Sequence, residues 1–415
     1  IMDKNERICI IGAGVSGIST AYYLQKKGYK NVTVLEKNNR VGGKCNTLKY
    51  KGKTYELGSQ MGFDSNYYLM QLMNEFNVKR LGPILYRGFF DPSGNPVSQI
   101  DAEELYDFQK QFYTLPSILS EYKDLRKPGL KNVDKRLCIP FSQWLEDNNI
   151  PLVGKVYALP FTGFGFGFFD EIAAAYVLKY LNFDILNSFI EITHIITLID
   201  GYQTLWEKVA STLDDVRLST NVIEVERGEE IIVKTQLDTL NFDKLIITCG
   251  LDQALKFLDA TEEEVSLFSR IQYNDFYVFM YSLENIPKVC GYIPAHFNKD
   301  KIGHLLAWYY RWQDMASNDL IAVYAMGEEG MDVREIKAKV EEDLVNLGVK
   351  INHLYTYRKW KYFPHVSCED LRNGFHDKLE GLQSKRNTYY TGEIMSFGII
   401  EECLAYSVDL IDRYF

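Results

Sequence analysis

Residues 7 to 36, RICIIGAGVSGISTAYYLQKKGYKNVTVLE, constrain the fold more than any other part of the chain. Arg7 to Ile11 predicts a short buried strand. Gly12, Gly14 and Gly17 complete a GxGxxG turn, and Ser16 to Lys27 predicts a helix with Gly28 just past its end. VTVLE predicts a second strand with Glu36 at its tip. Each part has a physical task. Gly12 permits the tight turn, Gly14 lets the backbone approach a pyrophosphate, and Gly17 lets the helix pack on the strand. The helix start, with Ala13 and Ser16, offers free N–H groups and partial positive charge to phosphates. Glu36 follows the last glycine by about 20 residues, where a carboxylate accepts from ribose hydroxyls. The unit predicts a parallel sheet and a dinucleotide.

Bulk properties exclude several other classes. The 415 residues are enough for two or three domains, and 46% hydrophobic with 25% charged residues is ordinary for a globular chain. A formal net charge of -10 disfavours nucleic acid and anionic membranes as partners. No apolar run approaches about 20 residues, so no transmembrane helix is expected, and no leader is expected ahead of RICIIGAG. The seven scattered cysteines contain no CxxC, which points to reduced thiols and a cytoplasmic location. The six histidines form no HxxxH pair, so no metal site is expected.

Beyond Glu36 the chain reads Lys37, Arg40, Gly42, Gly43 and Lys44, the pattern ExxxRxGGK. This resembles the amine oxidase superfamily of flavoproteins, whose version ends in arginine where Lys44 stands here. The resemblance implies FAD, with the glycine pair passing close to it and basic side chains balancing its phosphates. YELGSQMG resembles the stretch under the flavin ring and implicates Gln60 and Met61. DVRLSTNVIEVERGEEIIVKTQLDTLNFDKLIITCG reads as one antiparallel meander, and its likeness to an adenine-pairing strand implicates Val222. YYTGEIMSFGIIEECLAYSVDLI resembles the C-terminal FAD motif. It places Gly392 and Glu393 near the ribityl or pyrophosphate, and aims the helix starting near Gly398, chiefly the Ile400 N–H, at the flavin O2.

The expected fold class is therefore α/β with α+β elements. A Rossmann-type FAD-binding domain is assembled from residues 1–75, 196–265 and 360–415. Residues 76–195, mainly helical in pattern, form a cap in which DEIAAAYVLKYL begins with Asp170 as N-cap. Residues 266–359, rich in strand-like runs such as FYVFMYSL, form a β-rich substrate domain.

Within the cap, ALPFTGFGFGFFDE sets five phenylalanines among glycines. If extended, Phe164, Phe166 and Phe168 share one side, which suits either plain core packing or the wall of an apolar pocket. About ten buried CH₂ groups of an alkyl ligand yield roughly 8 kcal/mol gross, and ring faces stabilise a developing cation. In GPILYRGFF, Arg87 stands among apolar neighbours; it is a surface or internally paired arginine, or else it holds a substrate carboxylate.

PFTGFGFGFFDEIAAAYVLKYLNF, WKYFPHVSCEDL and KRNTYYTGEIMSFG resemble the polyunsaturated fatty acid isomerases, a flavin branch of the same superfamily. That resemblance implies a small-molecule substrate, a long-chain polyunsaturated fatty acid. A hydride leaves the carbon between two double bonds for flavin N5 and returns at another carbon, giving a conjugated product. It also implies that Arg87 with Phe189 holds the carboxylate and that Phe164 lines the tail, although Tyr86 stands where a second basic residue is expected. No protein residue is assigned as catalytic. The rival readings are a flavin-containing amine oxidase, for which Trp360 and Tyr362 offer an aromatic pair, a carotenoid-type desaturase, and a flavin-bearing sensor without turnover. RIQYNDFYVFMYSL lacks the lysine that oxidases of this branch carry.

Overall fold

The computed structural model describes residues 2–313 and 318–415. The glycine turn does what its sequence predicts. Strand Arg7–Ile11 lies at the centre of a five-stranded parallel sheet, flanked by Asn31–Leu35 and Lys244–Ile247, with Val216–Arg217 and Thr388–Tyr390 at the edges. Ile8, Cys9 and Ile10 are wholly buried, as a strand covered on both faces requires. Helix Val15–Lys26 packs against the C-terminal helix Ile400–Tyr414 and ends before Gly28, whose φ of 101° suits only glycine comfortably.

The expected single meander is shorter than its sequence suggests. Only Val222–Arg227, Ile231–Thr235 and Thr239–Phe242 form the antiparallel sheet. The flanking runs Val216–Arg217 and Lys244–Ile247 join the parallel sheet instead, because their apolar residues are needed beside the first two strands.

A six-stranded sheet supplies the second layer, in the order Lys350–His365, Gln272–Glu284, Ile321–Gly327, Leu305–Tyr309, Cys290–Tyr292, Arg87–Phe89. FYVFMYSL lies in its longest buried strand and is buried on both faces. Phe276, Val278 and Met280 face the main core, while Tyr277, Phe279 and Tyr281 belong to a second core. Helix Val333–Asn346 covers that second core with Ile336, Val340 and Leu344, spaced one turn apart and fully buried. Two features cross the expected domain limits. Strand Lys350–His365 runs through position 360, and Arg87–Phe89 leaves the helical segment to pair in parallel with Cys290–Tyr292.

The cap contains helices Leu105–Leu119, Phe141–Asp147, Ala174–Tyr180 and Phe183–Ile190. Asp170 does not cap a helix. The next helix starts at Ala174 with Ala173 at its N-cap, because the carbonyl of Phe168 is taken up by Glu171 and Ile172 N–H groups in a separate turn. Among the described residues no helix is long and apolar enough to cross a membrane.

Candidate functional site

The carboxyl ends of the parallel strands converge on one long groove, the position where open α/β sheets bind ligands. Gly12, Gly14, Ser16 and Gly17 line it from the first turn. A Cβ on Gly17 would lie 1.8 Å from the Gly12 carbonyl oxygen, so only glycine lets the helix approach the strand. Gly43 and Gly14 touch back to back: a Cβ on Gly43 would come within 3.0 Å of the Gly14 Cα. The two glycine loops thus form a cradle with room for a ligand and none for side chains.

The charged residues are organised more tightly than sequence alone suggests. Glu36 lies at the far end of the groove with Lys37, and its carboxylate accepts from Ala13 N (2.9 Å) and Asn38 N (2.8 Å). Arg40 does not reach freely into the groove. Its guanidinium donates to the carbonyls of Gly43 (2.8 Å) and Cys45 (3.3 Å) and so holds the GGK loop in shape. Lys44 pairs with Glu393 (Nζ–Oε1, 2.6 Å), joining the first loop to the C-terminal motif. The Glu393 carboxylate packs into the side-chain space of Gly398, 2.7 Å from a Cβ placed there. Gly398 and Ile400 line the groove, and Ile400 opens the last helix, whose first-turn N–H groups have no intrahelical acceptor. Ala13, Gly42, Gly392 and Val222 stand behind the wall. Gly42 N donates to Ala13 O (2.9 Å), Gly392 packs against Thr248 O, and Val222 follows Thr220, whose N–H donates to Glu36 O (2.8 Å).

A second, smaller cavity adjoins the groove and shares Phe276, Tyr324, Tyr362 and Ile400 with it. Gln60 and Met61 line it, with Gln60 Nε2 donating to the Tyr324 hydroxyl and to Glu56 O (3.1 Å). Phe164 and Phe166 also line it, but the extended alternation expected of their segment does not form. Thr162–Phe164 is a tight helical turn, Gly165 has φ +85°, and Gly167 has φ +121°, so the rings point in different directions. Phe166 packs on Tyr362 (5.1 Å) and Phe397 (5.0 Å), whereas Phe164 meets Phe189 (5.5 Å) and Tyr292 (6.3 Å). Phe168 is buried core outside the cavity wall, a correction to its expected place, because the glycine turns rotate it away.

Two further expected substrate residues lie one layer back. Phe189, on helix Phe183–Ile190, backs Phe63 and Phe164 edge-on, and no ring among the described residues stacks on Arg87. Arg87 is half-buried beside Tyr292 and Tyr309; these hydroxyls are 3.1 Å apart, and Tyr309 lines the cavity. The internal acid that sequence left open is absent: the Arg87 side chain makes no hydrogen bond or ion pair among the described residues. Burial lowers its pKa, countered only by the fields of the two tyrosines. Trp360 and Tyr362 do not form a facing pair. The Trp360 indole donates to Leu57 O (2.8 Å), and Tyr362 rests on Phe166 and Phe276.

A family profile described as flavin containing amine oxidoreductase matches residues 15–405. The chain belongs to that family. Its amine oxidoreductase fold is similar over its whole length to the CLA-producing fatty acid isomerase from P. acnes, with a TM-score of 0.97, 32% identity and 100% of both chains covered. The FAD-dependent oxidoreductase dbaF of Emericella nidulans is 24% identical over 94% of this chain and 87% of its own. Putrescine oxidase bound to putrescine shares the fold, with a TM-score of 0.72, 16% identity and 99% of both chains covered.

FAD is the cofactor, and the groove fits it. The back-to-back glycines, the acid at one end and the open helix start at the other match the parts of a dinucleotide in order. Sequence reasoning missed Tyr309 and Tyr324, which the six-stranded sheet brings to the cavity wall from separate strands, and Tyr292, whose hydroxyl meets that of Tyr309 behind the wall. It also missed Glu401, which lines the cavity while accepting from Tyr68 N (3.0 Å) and Leu69 N (2.9 Å) at the start of helix Tyr67–Glu75. Burial pushes the Glu401 carboxyl up to about 7. Its place directly after Ile400 was the one available hint.

Proposed function

We propose that this flavoenzyme moves a double bond of a polyunsaturated fatty acid to give a conjugated product. One observation carries the reading. Arg87 is a half-buried cation without a counter-ion among the described residues, set one ring behind an aromatic cavity that opens onto the FAD groove. Desolvating a lone guanidinium is costly, and a carboxylate on an apolar tail relieves that cost while filling the cavity. The whole-chain likeness to a fatty acid isomerase supports the same assignment.

Bound FAD supplies reversible hydride acceptance. The chain's own residues have the rest of the work. Phe164, Phe166, Tyr309 and Tyr362 present ring faces and edges that exclude water and stabilise positive charge spread over a pentadienyl carbon chain. Arg87 with the Tyr292 and Tyr309 hydroxyls would fix the carboxylate and so set which carbon faces the flavin. Among the described residues the cavity wall contains no lysine, arginine or histidine.

Amine oxidation is the second reading, favoured by the Glu401 carboxyl in the cavity wall. Against it, both Glu401 oxygens already accept backbone N–H groups. Anaerobic incubation of the yellow protein with linoleic acid distinguishes the two. Isomerisation raises conjugated-diene absorbance with no lasting bleaching of the flavin. Bleaching by an amine, with fatty acids inert, assigns the protein to oxidation instead.

A further inference from the structure

Outside the flavin site, folding brings together three groups of metal-ligand type from three elements. His296 ends the turn Pro294–His296, His304 precedes strand Leu305–Tyr309, and Asp343 lies in the last turn of helix Val333–Asn346. One potential ligand atom from each lies within 4.8 Å of the other two. The rings of His296 and His304 are 5.2 Å apart. His304 Nδ1 meets the Asp343 carboxylate at 3.0 and 3.2 Å, and Leu305 N donates to the same carboxylate at 2.8 Å.

The protonation of His296 follows from its partner. Nδ1 lies 2.6 Å from the Leu305 carbonyl oxygen, which can only accept, so Nδ1 carries the hydrogen and Nε2 keeps its lone pair. A histidine whose other nitrogen donates to a backbone carbonyl is the usual arrangement behind a metal-bound imidazole. His296 and Asp343 are buried, while His304 is about a quarter exposed and leaves a route from solvent.

We propose that His296, His304 and Asp343 bind a divalent transition cation of the Zn²⁺ type, with water completing the coordination. Two imidazoles and one carboxylate suit Zn²⁺, Co²⁺ or Ni²⁺, whereas Ca²⁺ and Mg²⁺ take oxygen ligands. A set with a single carboxylate gives little excess negative charge, so micromolar rather than picomolar affinity is expected. Bound metal would clamp the 293–304 segment to helix Val333–Asn346. That segment carries Phe297, whose ring packs against Gly163 in the flavin-side cavity wall (3.0 Å from a Cβ placed there) and also lines a neighbouring groove.

Chelator-treated holoenzyme titrated with ZnCl₂ by calorimetry at pH 7.5 tests the site, with Co²⁺ d–d absorption reporting the ligands. One Zn²⁺ per chain is expected, with a Zn²⁺-dependent rise in Tm. His304→Gln and Asp343→Asn should each weaken binding at least tenfold, and His304→Gln changes only a partly exposed residue, so it should still fold. His194→Gln should leave binding intact; it removes the exposed histidine that contacts Asp64 and Glu191 elsewhere. Failure of wild-type protein to bind Zn²⁺, or equal binding by the His304 and Asp343 variants, would overturn the assignment and leave a hydrogen-bonded His–Asp cluster.

Discussion

Replacing Arg87 by methionine separates a functional guanidinium from a structural one. In the ligand-free protein the side chain has been partly stripped of water, and no carboxylate among the described residues returns that cost. Methionine keeps much of the packing volume and removes the charge. The free protein should therefore be as stable as wild type or more so, by about 1 kcal/mol, the low end for exchanging buried charge for apolar side chains. In a chain of this size that is roughly 1–2 °C in Tm. Binding moves the other way. Charge-assisted hydrogen bonds contribute about 1.5–3 kcal/mol, so a free fatty acid should bind about ten- to a hundredfold more weakly. Its methyl ester should change by about twofold or less. Arg87→Lys should fall between, since it keeps the charge and loses the planar fork. Anaerobic titration of the flavin spectrum with acid and ester, alongside thermal unfolding, measures both quantities. A Tm lowered by several degrees, with acid and ester weakened alike, would refute the reasoning and make Arg87 part of the scaffold.

Other perturbations have equally definite outcomes. Gly17→Ala drives a methyl to 1.8 Å from the Gly12 carbonyl oxygen, so the purified variant should be colourless, with a flavin-to-protein absorbance ratio at least tenfold lower; normal flavin content would contradict the cradle. Glu264→Gln breaks a buried pair with Arg227 (2.7 and 2.9 Å) that also holds the Tyr390 hydroxyl, and should cost about 3–5 kcal/mol in urea unfolding. The same pair holds the Glu264 carboxyl down at about 2, so its contribution is complete above the ordinary value near 4.5 and is lost as pH falls through 2; the gap between wild type and variant should narrow only in strong acid. Glu401 has the opposite sign. Its pKa is raised to about 7, so its contribution is present below about 4.5 and lost as pH rises through 7. Glu401→Gln should gain Tm relative to wild type between pH 6 and 8, and a pH-independent difference would exclude that titration.

Local, periodic features were legible in the sequence. The strand–glycine–helix–strand unit has its partners within 30 residues, and steric demand at Gly17 leaves one residue type possible, so pattern and structure agree. Both strand ends and the C-terminal helix followed for the same reason. The substrate side was read less well. Phe164, Phe166 and Phe168 alternate on paper, yet two left-handed glycines break the alternation, and nothing in the spacing reveals which glycines turn. Arg87 stands out in the sequence as an apolar-flanked cation, but its tyrosine neighbours come from strands about 200 residues away, beyond any local pattern. The His296–His304–Asp343 group was invisible because metal-ligand reading relies on close spacing, and here a helix from beyond the next two strands supplies the carboxylate.

The Lys44–Glu393 contact ties together positions 349 apart. While the chain is still being made on the ribosome, the glycine turn therefore waits, fully synthesised, until residue 393 has been added. A nascent chain stopped short of residue 388 would lack the edge strand Thr388–Tyr390 as well as the Glu393 carboxylate and the Ile400 helix start that line the groove. Colour should thus arrive late in biogenesis, and shortage of riboflavin should leave a population that has its sheets but lacks the docked C-terminal helix, the species a cellular protease would find first.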